Sequence, residues 1–350
     1  MKILIITQKV DKNDAILGFF HNWVTEFAKH CEQVTVICLY KGEHSLPDNV
    51  KILSLGKEER QSRLQYLIHF YWYIIHERKN YDSVFVHMNQ IYVVLGGLLW
   101  RLWHKKISMW YTHRAVSMDL RIATILAHDI FTASKEGFNV PTKKLHIIGH
   151  GIDTELFNIP SRRISQSDKL RLVSVGRITR IKNIDTLIMA CSILKDRGMD
   201  FVCEIVGPQV TPDDSVYMKE LKELVSEKRL ESDVIFIDAV SHENIREYYW
   251  KNDIHVNLTP TGGVDKAVLE GIVAGSVPLA SNTAFKEVFG EYNDLLSFKL
   301  RDPQDLAQKI IELRKKDRKI LTDNLTAVVK KNFGIESFIN KILAVSAKSS

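Results

Sequence analysis

The run Gly176-Arg177-Ile178-Thr179-Arg180-Ile181-Lys182-Asn183 joins a β-branched stretch to one of helical periodicity. It brings a glycine, three cations and a cap-forming asparagine to one strand-to-helix turn. Backbone amides at a helix start, with the positive end of the helix dipole, attract anions. Arg177 and Lys182 add charge-assisted donors, so the chemistry on offer is the grip of a phosphate. Surface cations beside a capped helix would leave the same trace. A second run, Thr259-Pro260-Thr261-Gly262-Gly263-Val264-Asp265-Lys266-Ala267-Val268-Leu269-Glu270-Gly271, passes from a strand through a Gly-Gly turn into a short apolar helix. Gly262 and Gly263 let backbone come close to a ligand, and the helix start aims amides at the same place. Glu270 falls among Leu269, Ile272 and Val273, where a lone carboxylate is costly. A vicinal diol such as a ribose would donate two hydrogen bonds to it; a neighbouring loop capped by the Glu is the alternative.

Positioning such turns takes a scaffold of strands and helices in alternation. The pattern predicts strands at residues 2–6, 33–39, 83–87, 107–110, 130–132 and 146–148. A second series follows at 170–175, 201–206, 234–237, 254–258 and 277–280. Between them lie amphipathic stretches such as Ile184, Leu187, Ile188, Cys191 and Leu194, which share one helix face. Strand–helix–strand repetition means α/β architecture, with parallel sheets covered on both faces. The pattern lapses at residues 158–169, a polar linker. The reading is therefore a doubly wound Rossmann-like domain at 1–157, the linker, a second at 170–334 and a C-terminal helix at 335–350. That helix, with Phe338, Ile339 and Ile342 on one face, is free to pack on either domain. Ligands of such sheets sit outside the carboxyl ends of the strands, so two domains facing each other make a cleft.

Composition narrows the class. The 350 residues are 45% hydrophobic and 26% charged, the balance of a globular protein. The longest apolar run, residues 91–100, is half of what a bilayer span needs, and the first residues read as a buried strand rather than a secretory signal. The four cysteines form no Cys-x-x-Cys pair, which points to buried thiols in a cytosolic chain. The net charge of +6 is mild. It is concentrated at Arg101, Lys105, Lys106, Arg114 and Arg121, interleaved with Trp100, Trp103, Trp110 and Tyr111. The helix expected near residues 60–79 adds Tyr66, Trp72 and Tyr73 with Arg60, Arg63, Arg78 and Lys79. Such a mixture fits a phosphate-rich partner or membrane surface, or a core helix with solvated ends. No pattern of a nucleic-acid-binding motif accompanies it.

Taken in order, these segments resemble the retaining glycosyltransferases of family 4, which have the GT-B fold. Gly176-Arg177 with Lys182-Asn183 is similar to that family's donor-phosphate motif. The stretch from Val268 through Glu270 to Pro278 is similar to the second half of its Glu-x7-Glu motif. His146 to Asp153, with Phe157 after it, resembles the family's exit from the first domain. The resemblance covers nearly the whole chain. It implies transfer of a hexose from a UDP- or GDP-sugar to a hydroxyl acceptor, with retention, in glycan, polysaccharide or glycolipid synthesis. Neither cofactor nor metal is implied, and no Asp-x-Asp motif is present.

Residue by residue, the resemblance implies Arg177 and Lys182 on the donor diphosphate. Gly176, Gly263 and the amides around Lys266, Ala267 and Val268 would lie beside phosphate. Gly207 and Val240 would lie near the base, and Glu270 at the ribose. From the first domain, His113 would face the transferred sugar, and Gly18 the sugar and acceptor. Met88-Asn89 would reach the acceptor. One departure stands out. Gly262 occupies the place of the first motif Glu, so Asp265 is the expected substitute on the sugar and Lys266 its companion on the phosphate. Three rivals remain: a nucleotide-sugar 2-epimerase of the same fold, a transferase-like binding subunit without turnover, and a dinucleotide-dependent dehydrogenase, which lacks its Gly-x-Gly-x-x-Gly. The expected location is the cytoplasm, with the inner face of the membrane as a candidate.

Overall fold

The structure is a computed structural model that describes residues 1–113, 115–160, 169–260 and 262–347. The chain forms two units, one of residues 1–151 and 334–350 and the other of residues 152–333. Arg114, Thr261, most of the expected linker and the last three residues lie outside the described residues.

Unit 1 runs β1 (Lys2–Val10), α1 (Phe19–His30), β2 (Gln33–Lys41), β3 (Val50–Ser54), α2 (Arg63–His76), β4 (Ser83–His87), α3 (Gln90–Leu102), β5 (Lys106–Trp110), α4 (Met118–Leu126), β6 (Asp129–Thr132) and β7 (Leu145–Ile147). Its seven parallel strands are ordered β3-β2-β1-β4-β5-β6-β7. In β1, Ile3, Leu4, Ile5 and Ile6 are all buried in succession, as a strand covered on both faces requires. On one face α1 buries Phe20, Trp23, Val24 and Phe27 at helical spacing. A Ser62–Gln65 capping box starts α2, which lies on the other face with α3 and α4.

Unit 2 runs β8 (Leu170–Val175), α5 (Ile184–Asp196), β9 (Phe201–Val206), α6 (Pro212–Glu227), β10 (Val234–Ile237), α7 (Ile245–Lys251), β11 (Ile254–Asn257), α8 (Lys266–Val273) and β12 (Val277–Ala280). Helices α9 (Lys286–Phe289), α10 (Asn293–Leu296), α11 (Pro303–Arg314) and α12 (Arg318–Phe333) follow. Its five parallel strands are ordered β10-β9-β8-β11-β12. The order reverses at β8, with β9 on one side and β11 on the other. In such sheets a ligand crevice opens where the order reverses.

Two features differ from the sequence expectation, the boundary and the aromatics, and the placement of the last helix, which the sequence left open, falls to unit 1. The division falls at Gly151/Ile152, not at residues 158–169, because Ile152 and Phe157 are buried in the core of unit 2. The last helix, α13 (Ile335–Ala347), belongs to unit 1, where Phe338 packs at 4.3 Å ring separation from Trp23 and 5.0 Å from Trp110. The aromatics interleaved with basic residues are mostly not on the surface. Trp100, Trp110 and Tyr111 are buried in the core of unit 1.

Candidate functional site

The carboxyl ends of β8 and β9 carry two glycines whose backbone conformation disfavours any other residue. Gly176 has φ +146° and Gly207 φ +154°, which L side chains rarely adopt. A Cβ on Gly207 would lie 1.9 Å from the carbonyl oxygen of Gly176. The two turns are laced together: the Gly176 amide donates to Val206, and the Ile178 amide to Pro208, both at 3.0 Å. Backbone therefore lies where a side chain would otherwise fill the crevice.

From this floor the cations diverge. Lys182 donates to Asp265 Oδ2 at 2.7 Å and to Thr259 Oγ1 at 2.9 Å. Arg177, 43% exposed at its side chain, directs Nε to Asp214 Oδ2 at 3.3 Å. Asp214 is buried at the third position of α6, in a capping box with Thr211. Burial works to raise its carboxyl, but the Val210 and Thr211 amides and the Thr179 and Thr211 hydroxyls outweigh it and hold it at about 2. It is therefore an anion under all ordinary conditions and steers the guanidinium. Arg180 turns away, paired through both terminal nitrogens with Glu220 at 2.7 and 2.6 Å over the Tyr217 ring.

Asn183 departs from its expected role. It stands at the N-cap of α5 with φ +46°, but its side chain makes no cap bond. Its amide instead donates to the Leu258 carbonyl at 3.1 Å, and its Oδ1 accepts from Arg301 Nε at 2.9 Å. It ties the turn after β8 to the end of β11.

That β11 turn leads into α8. Asp265 is the N-cap, its Oδ1 accepting from the Ala267 amide at 3.3 Å, while Oδ2 also takes Asn257 Nδ2 at 3.0 Å. Burial works to raise this carboxyl, but Lys182, Asn257 and the Ala267 amide hold it well below the ordinary 3.8. The Val268 amide is bonded to the Asp265 carbonyl at 3.1 Å. Two of the amides expected at a phosphate thus serve the helix start itself. Gly263 is fixed by Asn282 Nδ2 on its carbonyl at 3.2 Å. Gly262 has φ +136°, so a glutamate at that position would be strained whatever space it found.

Lys266 opens α8 with its Nζ buried. Burial pushes its ammonium from 10.5 down to about 7, against the pull of Glu270 and Asp265. Glu270, one turn on, is 6% exposed, and its Oε1 lies 3.0 Å from His242 Nε2. His242 in turn stands edge-on to Phe157 at 5.4 Å. Val240, two residues before it, packs partly buried on the same core. Sequence reasoning missed His242, Asn282 and Asp214. Only Asp214 carried a local signal, the Thr-Pro-Asp-Asp start of α6.

In unit 1 the expected residues gather at the carboxyl edge of the sheet, after β1, β4 and β5. Gly18 is the N-cap of α1 with an ordinary φ of −54°, so its freedom is not used. Met88 has φ +61°, and its amide donates to the Trp110 carbonyl at 2.9 Å. Asn89 is the N-cap of α3 without a side-chain cap bond. His113 is exposed after β5, its Nδ1 accepting from the Ala115 amide at 3.2 Å. Among the described residues, no group of three or more His, Cys, Asp or Glu is placed to hold a metal ion.

A family model described as glycosyl transferases group 1 matches residues 158–332, half of the chain and nearly all of unit 2. The chain belongs to the glycosyl transferases group 1. Its relatives include the amylovoran biosynthesis glycosyltransferase AmsK of Erwinia amylovora, 29% identical over 41% of this chain and 34% of AmsK. Another is the putative colanic acid biosynthesis glycosyltransferase WcaL of Escherichia coli, 25% identical over 58% of this chain and 49% of WcaL. The match thus spans a third to a half of these relatives. Among solved structures, Anabaena HepE in complex with UDP superposes with a TM-score of 0.78 at 17% identity, covering 99% of both chains. Sucrose-phosphate synthase of Thermosynechococcus elongatus gives 0.77 at 15%, covering 99% of this chain and 98% of its own. These likenesses establish the GT-B fold, two parallel-sheet α/β domains.

Proposed function

We propose that this group 1 member is a retaining glycosyltransferase that moves a hexose from a UDP-sugar to a hydroxyl of a glycan or lipid-linked glycan during polysaccharide assembly. The observation that carries it is the convergence at the β8 switch point. Two side-chain-free turns lie beside Arg177 and Lys182, Lys182 is bonded to Asp265 at the start of α8, and the buried Lys266 and Glu270 follow on that helix. Phosphates fit the cations and bare backbone, and a ribose diol fits Glu270. The relatives' names support the polysaccharide setting. The UDP complex of HepE supports uridine over guanosine.

In the proposed reaction the bond from the anomeric carbon to the diphosphate oxygen breaks, and its electron pair stays on the diphosphate. The acceptor oxygen bonds to the anomeric carbon on the same face and passes its proton to the departing phosphate oxygen. Arg177 and Lys182 stabilise charge gathering on that phosphate, a preorganised electrostatic role. Asp265 orients Lys182 and reaches toward the sugar hydroxyls. His113 and Gly18 serve the transferred sugar, and Met88 and Asn89 the acceptor. No metal or cofactor takes part. The place of action is the cytoplasm.

The φ of Gly262 favours one second reading, a binding subunit without turnover, because the family's first motif Glu would be strained in this backbone conformation although the space around it is open. Thermal-shift measurements with UDP, GDP, ADP and their hexose conjugates test the donor. A ligand at a hundred times its dissociation constant stabilises by about 2.7 kcal/mol. UDP-hexose stabilisation followed by transfer, with retained configuration by proton NMR, is expected. Stabilisation with neither transfer nor hydrolysis would select the binding subunit, and no stabilisation by any nucleotide would refute both.

A further inference from the structure

The amino edge of the unit 1 sheet, at the other end of the strands from His113 and Met88, holds a recess of about 700 Å³. That is the size of a small-molecule site. Lys106 opens β5 and His128 stands just before β6, and both line it. Arg101, His104 and Lys105, where α3 passes into β5, line it as well, with Ser346 from the last turn of α13. His104 stands past the end of α3 with φ +54°, a conformation that glycine adopts at less cost.

Two of these cations are held in place without being neutralised. Arg101 Nε and Nη2 donate to the Leu126 and Ile125 carbonyls at 2.8 and 3.2 Å, and Lys105 Nζ donates to the Tyr81 carbonyl. A carbonyl fixes a side chain but leaves its charge, and among the described residues neither cation pairs with a carboxylate. Lys106 differs, being paired with Asp129 at 3.0 Å. Asp82 also lines the recess, its Oδ2 accepting from the Lys2 amide at 2.9 Å. Neutral donors complete the set. The Ile107 amide donates to His128 Nδ1 at 3.0 Å, so the neutral ring carries its hydrogen on Nε2. Burial, then the Arg101 and Lys106 charges, hold that ring below the ordinary 6.5 and keep it neutral at pH 7. Ser346 is 5% exposed, and its Oγ is buried without a hydrogen-bond partner among the described residues. An unpaired buried hydroxyl costs free energy, which a ligand oxygen accepting from it recovers.

We propose that this recess binds a small soluble phosphate monoester. Arg101 and Lys105 supply charge to the phosphoryl oxygens, and His128 Nε2 and the Ser346 hydroxyl supply neutral donors. Two cations with two neutral donors fit the near-dianion and three terminal oxygens of a phosphate monoester better than the single charge and two oxygens of a carboxylate. The buried Ser346 hydroxyl lies beyond the reach of a flat surface, which makes the ligand a small molecule. The site lies wholly in unit 1, goes beyond the transferase reading and does not depend on it.

The test is calorimetric titration of the full chain with glycerol 3-phosphate and with glycerol. Binding of the phosphate ester and none of glycerol is expected. Arg101→Gln with Lys105→Gln should weaken it by about tenfold or more. Ser346→Ala should weaken it roughly fivefold while leaving the thermal midpoint of the ligand-free protein unchanged or higher, a pairing that a merely structural hydroxyl would not give. Arg177→Ala with Lys182→Ala, in unit 2, should bind the ester as the wild type does, which separates this site from the diphosphate grip. Circular dichroism reports whether the variants remain folded; if the Arg101 and Lys105 variant does not fold, Ser346→Ala decides. Absence of wild-type binding at millimolar ester overturns the proposal, as does binding by folded Ser346→Ala equal to that of the wild type. Equal binding of glycerol, or a loss confined to the unit 2 variant, overturns it as well.

Discussion

Raising the pH above 7 should weaken donor binding through one side chain, Lys266. Its Nζ is buried, and burial brings its ammonium from 10.5 down to about 7. In the empty site the amine therefore sheds its proton as the pH passes 7. A bound diphosphate favours the charged form and raises the group again. Below 7 the proton is present with and without donor, so affinity is flat. Above 7 each donor bound carries in a proton, and affinity falls by up to tenfold per pH unit, about 1.4 kcal/mol. Between pH 7 and roughly pH 9 the dissociation constant should thus rise by as much as about a hundredfold. The pyrophosphate diester of UDP-glucose does not titrate there, so the slope belongs to the protein. Calorimetry in two buffers of different ionisation enthalpy should show uptake approaching one proton near the top of this range. Lys266→Met should bind more weakly at neutral pH and lose both slope and uptake. Folding stability carries the matching sign. The unfolded chain holds this proton up to 10.5 and the folded chain only to about 7, so stability rises with pH across that window. A flat affinity above pH 7 in the wild type, or a slope that survives in Lys266→Met, would refute the reasoning.

Other outcomes follow from the same geometry. Gly207→Ala sets a Cβ 1.9 Å from the Gly176 carbonyl at a φ of +154°, and should lower urea-measured stability by about 3 kcal/mol or abolish folding of unit 2. His242→Ala removes the partner of Glu270 and should raise the dissociation constant for UDP by about tenfold, with kcat for transfer less affected. An equal loss in both would place His242 elsewhere in the cycle. Asp265→Ala deletes a helix cap and should cost about 1 kcal/mol of stability; because it also releases Lys182, it should depress turnover. Unchanged donor affinity and turnover would remove Asp265 from the sugar site.

The residues show where sequence is a sufficient guide to the fold. In β1 the run Ile3–Ile6 is buried on both faces and reads as a continuous apolar stretch, while β8 and β9 are mostly apolar runs interrupted only by Arg171, Ser174 and Glu204. β3 was not legible because it is a half-exposed edge strand whose Lys51 interrupts the run. The boundary was misplaced because Ile152 and Phe157, sparse in sequence, are anchored by contacts with distant residues of unit 2. Gly176, Lys182 and Glu270 were legible in the site because each sits beside a strand end or in an apolar helix. His242 was not, since its meaning comes from Glu270, twenty-eight residues away on another element. The buried Trp100 and Trp110 show the limit of reading composition alone. Aromatic residues among cations look superficial until the sheet that covers them is known.

Calorimetric titration of UDP into the wild type and into Arg177→Ala with Lys182→Ala bears most directly on the central claim that unit 2 grips a diphosphate with these two cations. One UDP bound per wild-type chain, and at least about a hundredfold weaker binding by the folded double variant, is the predicted result. Equal affinity in the two proteins would contradict it.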